Sequence, residues 1–250
     1  MKRKTGSAIV VTSGKGGTGK TTSVGAIASC LASLGYKTLC LDCDVGLKNL
    51  DITLGLSDVA LTDFTDCLEG RKTLREAVIR HPKMKNLYFL SAPNTVRPEN
   101  IDVEKMKELI SEIKKEYDYC LIDSPAGMGA GFELASAGAD MAIIVTTGDS
   151  SSMRDGQRVS AELYKKGITN VRLIVNRVKP KLFRRSKSTV DRIIDSVGAQ
   201  LIGVVSEDEA VILSANLEIP LMLYKSKRAA GQYMNIAKRL TGERVPIGKL

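Results

Sequence analysis

The chain has 250 residues, 43% hydrophobic and 26% charged, enough to bury a full core in one large α/β domain or two small ones. No stretch approaches the roughly 18 uninterrupted apolar residues of a membrane span, and the basic start Met1-Lys2-Arg3-Lys4-Thr5-Gly6 lacks the apolar segment of a signal peptide. The formal net charge of +9 points to a polyanionic partner surface, nucleic acid or anionic lipid.

The first apolar run, Ala8-Ile9-Val10-Val11, reads as a strand. It leads into Ser13-Gly14-Lys15-Gly16-Gly17-Thr18-Gly19-Lys20-Thr21-Thr22, and then Val24, Ile27, Ala28, Leu31 and Leu34 recur on one helical face. Strand, glycine-rich turn and helix are the context that makes G-x-x-x-x-G-K-[ST] a phosphate loop. Glycines 14, 16, 17 and 19 let backbone N–H groups approach a polyphosphate, and the helix start adds its positive dipole end. Lys20 is expected on the β- and γ-phosphates of ATP or ADP, and the Thr21 hydroxyl on Mg²⁺. Lys15 is a second cation on the same loop. It competes with Lys20 for the same phosphates unless it points outward, toward a phosphate held by a second subunit.

Gly35 suits a helix C-cap, and Thr38–Asp42 reads as a buried strand. Asp42 and Asp44 follow at its carboxyl end, the first placed to hold Mg²⁺ through water and the second to orient an attacking water. Cys40-Leu41-Asp42-Cys43 spells C-x-x-C within an extended run, where positions three apart face opposite ways. The five cysteines are therefore expected to be reduced core residues of a cytoplasmic protein.

Residues 58–80 read as short helices, with Leu61, Phe64 and Leu68 on one face and a capping box at Thr73–Glu76. His81 is expected to be exposed. Leu87–Leu90 is a strand, and Asp102 opens a helix with Met106, Leu109, Ile110 and Ile113 inward. A further strand delivers Asp123 to the Mg²⁺ shell, with Gly127 and Gly129 in the loop beyond. Met141–Val145, Val171–Arg177 and Leu201–Val205 are strands, and Pro220–Leu223 is expected as a last short one. Asn176 at a strand end can pair with an adenine edge in bidentate fashion. Lys179–Lys187 is the most basic stretch, a solvated loop or a polyanion contact. The last helix spans about Lys227 to Leu240. The expected fold is α/β: a doubly wound, mostly parallel sheet flanked by helices, one domain over 1–250.

The string K-G-G-T-G-K-T-T at Lys15–Thr22 resembles the deviant Walker A motif of the MinD/ParA family, and D-x-D-x-G-L-x-N-L-D from Asp42 and D-S-P-A-G from Asp123 resemble its MinD branch. The resemblance implies a Mg²⁺-dependent ATPase in which Lys15 joins Lys20 and Asp44 in catalysis across an ATP-bound homodimer. It implies adenine reading at Asn176-Arg177, MinC-like or MinE-like partners in division-site placement, and partner contacts on the helix of Ser152, Arg154 and Asp155, residues that plain helix capping explains equally well. Gly148 and Ser206 stand where the family usually has proline. The resemblance runs to Gly242-Glu243-Arg244; family members continue into an amphipathic membrane-lying helix, for which Val245–Leu250 is too short. Membrane attachment of that kind is not expected from these residues, and non-specific DNA is the other surface. ParA-like and flagellar-number-regulator-like ATPases, acting on DNA or on a protein surface, are the alternatives.

Overall fold

Apolar strands that alternate with helical segments pair in parallel, because each crossover helix returns the chain to the same end of the sheet. The computed structural model describes residues 5–46, 48–57, 59–94, 96–180, 189–224 and 228–247. Its strands are β1 (Ser7–Thr12), β2 (Thr38–Asp42), β3 (Ile79–Arg80), β4 (Leu87–Leu90), β5 (Tyr119–Asp123), β6 (Met141–Thr146), β7 (Val171–Val178) and β8 (Gln200–Ser206). They form one sheet in the order β3-β4-β2-β5-β1-β6-β7-β8, parallel throughout except for the β3–β4 pair.

Successive strand residues feed opposite faces. Ile9 and Val11 pack with α1 (Lys20–Ser33), α2 (Leu50–Leu54) and the final helix, Ala229–Leu240. Ala8 and Val10 pack on the other side with helices α5 (Val103–Glu116), α6 (Ala130–Ser136) and α7 (Ser150–Lys165). The same alternation separates Cys40 from Cys43, which lie in the two different cores; all five cysteines are free. Helix α1 is more deeply enclosed than a one-faced pattern implies: every residue from Ser23 to Ala32 is buried. Only near its end does Leu34 reach 37% exposure.

The segment 58–80 departs from the all-helical expectation. It contains α3 (Phe64–Leu68) and α4 (Leu74–Ala77), the latter with the Thr73–Glu76 capping box, but it ends in β3. Two residues are too few to show a strand period, and only pairing with Tyr88 and Phe89 reveals the strand. Leu61 precedes α3 and is 95% exposed, so it does not share the buried face of Phe64. Pro220–Leu223 is a turn: the Pro220 carbonyl accepts from Leu223 N at 2.8 Å and Tyr224 N at 3.2 Å. A 3-10 turn at Pro98–Asn100 and helices α8 (Val190–Val197), α9 (Glu209–Asn216) and α10 (Ala229–Leu240) complete the described elements. Residues 181–187 of the basic stretch, with Lys225 and Lys227, lie outside the described residues. Among the described residues no helix is long and apolar enough to cross a membrane.

His81 is buried, 3% exposed, contrary to expectation. Its Nδ1 accepts from the backbone N–H groups of Lys83 and Met84, both at 3.0 Å. That leaves Nε2 as the protonated nitrogen, donating to the Leu54 carbonyl at 3.0 Å. The neutral ring thus ties the 81–84 turn to the end of α2, and burial lowers its pKa below 6.5, although the Leu54 bond works upward. A base whose folded pKa is depressed stabilises the fold above its unfolded pKa and loses that contribution as pH falls through about 6.5. Buried carboxyls with raised pKa values work in the opposite direction, so His81→Gln is the reference. Wild type minus His81→Gln stability, from urea titrations between pH 7.5 and 5.0, is expected to fall steadily toward acid. A flat difference would show that the ring is not held neutral.

Candidate nucleotide site

The carboxyl ends of β1, β2, β5, β6, β7 and β8 lie along one edge of the sheet, where open parallel sheets bind ligands. Between β1 and α1 the backbone turns through Gly17 and Gly19 at φ +79° and +93°, values that side chains rarely adopt. A Cβ on Gly19 would also stand 2.3 Å from Asn176 Nδ2, and one on Gly14 would stand 2.3 Å from Asp155 Cβ. The loop is thereby seated between β7 and α7. Gly16 and Gly17 are exposed, Thr18 and Lys20 are buried, and the start of α1 has no side-chain cap at Gly19, leaving its first N–H groups for an anion.

Asp42 and Asp123 are register partners at the ends of β2 and β5, each 1% exposed. Asp42 Oδ1 accepts from Asp44 N at 2.9 Å, and the Thr21 hydroxyl lies close enough to Asp123 to lower its pKa. Asp42 Oδ2 and Asp123 Oδ1 have no partner. Burial, then the neighbouring Asp123 charge, pushes the Asp42 carboxyl well above its usual range. Burial pushes Asp123 up to about 7 against the pull of Thr21 and Lys20. Asp44 is half-buried; burial raises it and Lys20 lowers it. Two orphaned, buried carboxylate oxygens beside a threonine hydroxyl form an all-oxygen donor set, which suits a hard cation. No group of three or more His, Cys, Asp or Glu set to hold a metal occurs among the described residues. The pair therefore fits an ion that keeps waters and phosphate oxygens of its own, as Mg²⁺ does.

The two loop lysines differ in setting. Lys20 is 7% exposed, close enough to lower the pKa of both Asp44 and Asp123. Lys15 points away, its Nζ 2.9 Å from Asp149 Oδ1 and 2.9 Å from Ser151 Oγ. Asp149 also caps α7 by accepting from Ser152 N at 3.0 Å, and takes the Thr147 hydroxyl at 2.5 Å. Burial works upward on this carboxyl, but the Thr147, Ser152 and Lys15 bonds outweigh it and hold it well below the usual carboxylate range. The turn at Gly148 is thus knit by side chains. The role of Asp149 toward Lys15 was not legible in the sequence.

The other end of the site is a cavity of about 140 Å³ whose lining includes Gly19, Thr22, Asn176, Arg177, Ser206 and Tyr233. Asn176, 5% exposed, donates from Nδ2 to the Thr18 carbonyl at 2.8 Å. Its Oδ1 and the second Nδ2 hydrogen remain for a ligand. Arg177 takes φ +54° and its side chain is exposed. Of the expected partner-contact residues, Arg154 is exposed and Asp155 lies against Gly14. Ser152 is buried; its hydroxyl pairs with Thr146 at 2.9 Å and accepts from Thr147 N at 3.1 Å, so it is structural.

Parallel sheet, phosphate loop and paired strand-end carboxylates define a P-loop nucleotide-binding domain. The sequence profile of the CobQ/CobB/MinD/ParA nucleotide binding domain matches residues 9–221, and the chain belongs to that family. The septum site-determining protein MinD of Bacillus subtilis is 38% identical over 97% of this chain and 91% of its own length. A chain of the MinC:MinD cell division protein complex of Aquifex aeolicus superposes with TM-score 0.90 at 38% identity, covering 97% of this chain and 99% of that one. The MinD of Pyrococcus horikoshii complexed with Mg-ADP gives TM-score 0.81 at 30% identity, covering 94% and 95%.

Because the Lys15–Asp149 pair is 36% and 49% exposed, it is worth at most about 1 kcal/mol. Lys15→Ala is therefore expected to cost less than about 1 kcal/mol of stability. Asp149→Ala, which also removes the α7 cap, should cost about 1–2 kcal/mol. Equal losses in urea unfolding would show that the ion pair, not the cap, is what Asp149 supplies.

Proposed function

We propose that this chain is a Mg²⁺-dependent ATPase of the MinD type, which forms an ATP-bound homodimer and recruits a MinC-type partner in placing the division site. The observation that carries this reading is the opposite setting of two lysines on one phosphate loop. Lys20 is buried beside the carboxylates of its own site, while Lys15 is held outward by a surface ion pair that it can exchange at small cost for a phosphate of a second subunit.

The remaining residues take roles that fit their surroundings. The N–H groups of Gly14–Thr22 and the start of α1 bind the phosphates, and Lys20 neutralises the β- and γ-oxygens. Thr21, Asp42 and Asp123 would hold Mg²⁺, which would offset the charge that develops on the phosphate oxygens. Asp44, anchored through its N–H to Asp42 and made more basic by burial, orients the attacking water. Asn176 offers Oδ1 to the adenine amine and its second Nδ2 hydrogen to N7, with Arg177 beside it.

Three variants test these assignments by nucleotide binding, sedimentation and turnover. Lys20→Ala is expected to abolish ATP binding. Lys15→Ala should retain ATP as a monomer and fail to dimerise. Asp44→Ala should dimerise with ATP yet hydrolyse it about 10²–10⁴-fold more slowly. Equal loss of nucleotide affinity in the two lysine variants would overturn the cross-subunit role of Lys15, and wild-type turnover in Asp44→Ala would remove Asp44 from the reaction. Co-elution with a MinC-type protein only when ATP is present checks the partner.

A further inference from the structure

We infer that Gln232 is a positioning residue for the base-binding wall and sets selection of adenine over guanine through Ser206. The inference rests on the proposed placement of the base in the cavity beside Asn176. The outer wall of that cavity is the end of β8 and the residues after it, Val205 to Asp208. Strand β8 lies at the edge of the sheet, so outward groups of this wall have no neighbouring strand to bond.

Groups on α10 supply the missing partners, a side chain in one case and a backbone N–H in the other. Gln232 Oε1 accepts from Ser206 N at 2.8 Å, and Gln232 Nε2 donates back to Ser206 Oγ at 3.1 Å. Two positions on, Asp208 Oδ2 accepts from Ala229 N at 3.0 Å, while its Oδ1 caps α9 through Ala210 N at 3.0 Å. Helix α10 is itself tied to α1 by the buried pair Tyr233 Oη and Ser23 Oγ, 3.1 Å apart. The wall is thereby referenced to the helix that begins at the phosphate loop, the same loop whose Thr18 carbonyl orients Asn176.

Adenine and guanine are similar in size, so a site tells them apart by donors and acceptors held at fixed positions. One edge of the base meets Asn176, which is anchored from the loop. The other meets the wall, anchored from α10. Gln232 stands behind Ser206, outside the cavity lining, so it touches no base and acts through the wall. Truncating it leaves the Ser206 N–H without its partner and lets the wall shift, which relaxes selection rather than chemistry.

Calorimetric binding of ADP and GDP tests this without dimerisation or turnover. Wild type is expected to favour ADP, and Gln232→Ala to narrow the ADP-to-GDP affinity ratio by about fivefold to tenfold, the worth of one well-made hydrogen bond to a buried group. Turnover at saturating ATP should be unchanged. Gln232→Glu keeps an acceptor for Ser206 N, and the Ser206 hydroxyl can turn to donate, so this variant should keep the wild-type ratio. A Gln232→Ala protein that weakens both nucleotides equally, or that keeps the wild-type ratio, would overturn the inference. Wild type that binds ADP and GDP equally would overturn the base placement itself, and the inference with it.

Discussion

Two carboxylates buried side by side set the terms for the rest of the molecule. Asp42 and Asp123 end adjacent parallel strands in register, and each presents an oxygen with no donor to a space shut off from water. Burying like charges together is costly without compensation. The strands cannot avoid it, because β2 and β5 lie within the sheet and are covered on both faces. Partial compensation comes from Lys20 and Thr21, which the phosphate loop brings to the same edge. The loop can do so only because its glycines allow it to pass under Asn176 and against Asp155. A bound cation with its phosphates would supply the remainder, which is why the arrangement reads as a receptor rather than a core.

Exposure divides the labour among residues that sequence alone makes look equivalent. Lys15 and Lys20 flank the same glycines, yet one sits in a low-dielectric site and the other in a screened surface pair. Charges in the first setting bind tightly and are hard to move; charges in the second exchange partners cheaply. A loop built this way can hold a nucleotide with one lysine and offer the other to a neighbour. Asp149 couples that offer to α7, since the carboxylate that retains Lys15 also caps this helix. The far end of the site follows the same logic of support from behind, with α10 holding the free edge of the sheet while α1 holds the loop.

Much of this was legible before any coordinates. Strands with uninterrupted apolar runs, such as Ala8–Val11 and Thr38–Asp42, were bounded within a residue or two, because double-sided burial leaves a strong signal. The phosphate loop and the three aspartates followed from residue type and position at strand ends. Errors fell where neighbours overrule local pattern. His81 reads as a surface residue beside Pro82, yet its ring satisfies three backbone groups and is buried for that reason. Pro220–Leu223 has strand-like composition, but the Pro220 carbonyl turns back on the N–H groups of Leu223 and Tyr224, and beside it Glu218 and Pro220 lie against Gly55 at the end of α2 rather than along a strand.

The amino-acid sequence by itself determined the alternation of strands and helices, the parallel sheet that alternation requires, and a phosphate-binding turn with acidic strand ends beside it. Each of these is written in a local period or a short motif, and needs no distant partner to be recognised. Only the tertiary structure decided which lysine faces inward, which carboxylate oxygens are left without donors, and what holds Asn176 and Ser206 in place. Those outcomes depend on contacts such as Lys15 with Asp149 and Asn176 with Thr18, 134 and 158 positions apart in the chain. No local pattern encodes them, because they exist only once the sheet has brought its carboxyl ends together.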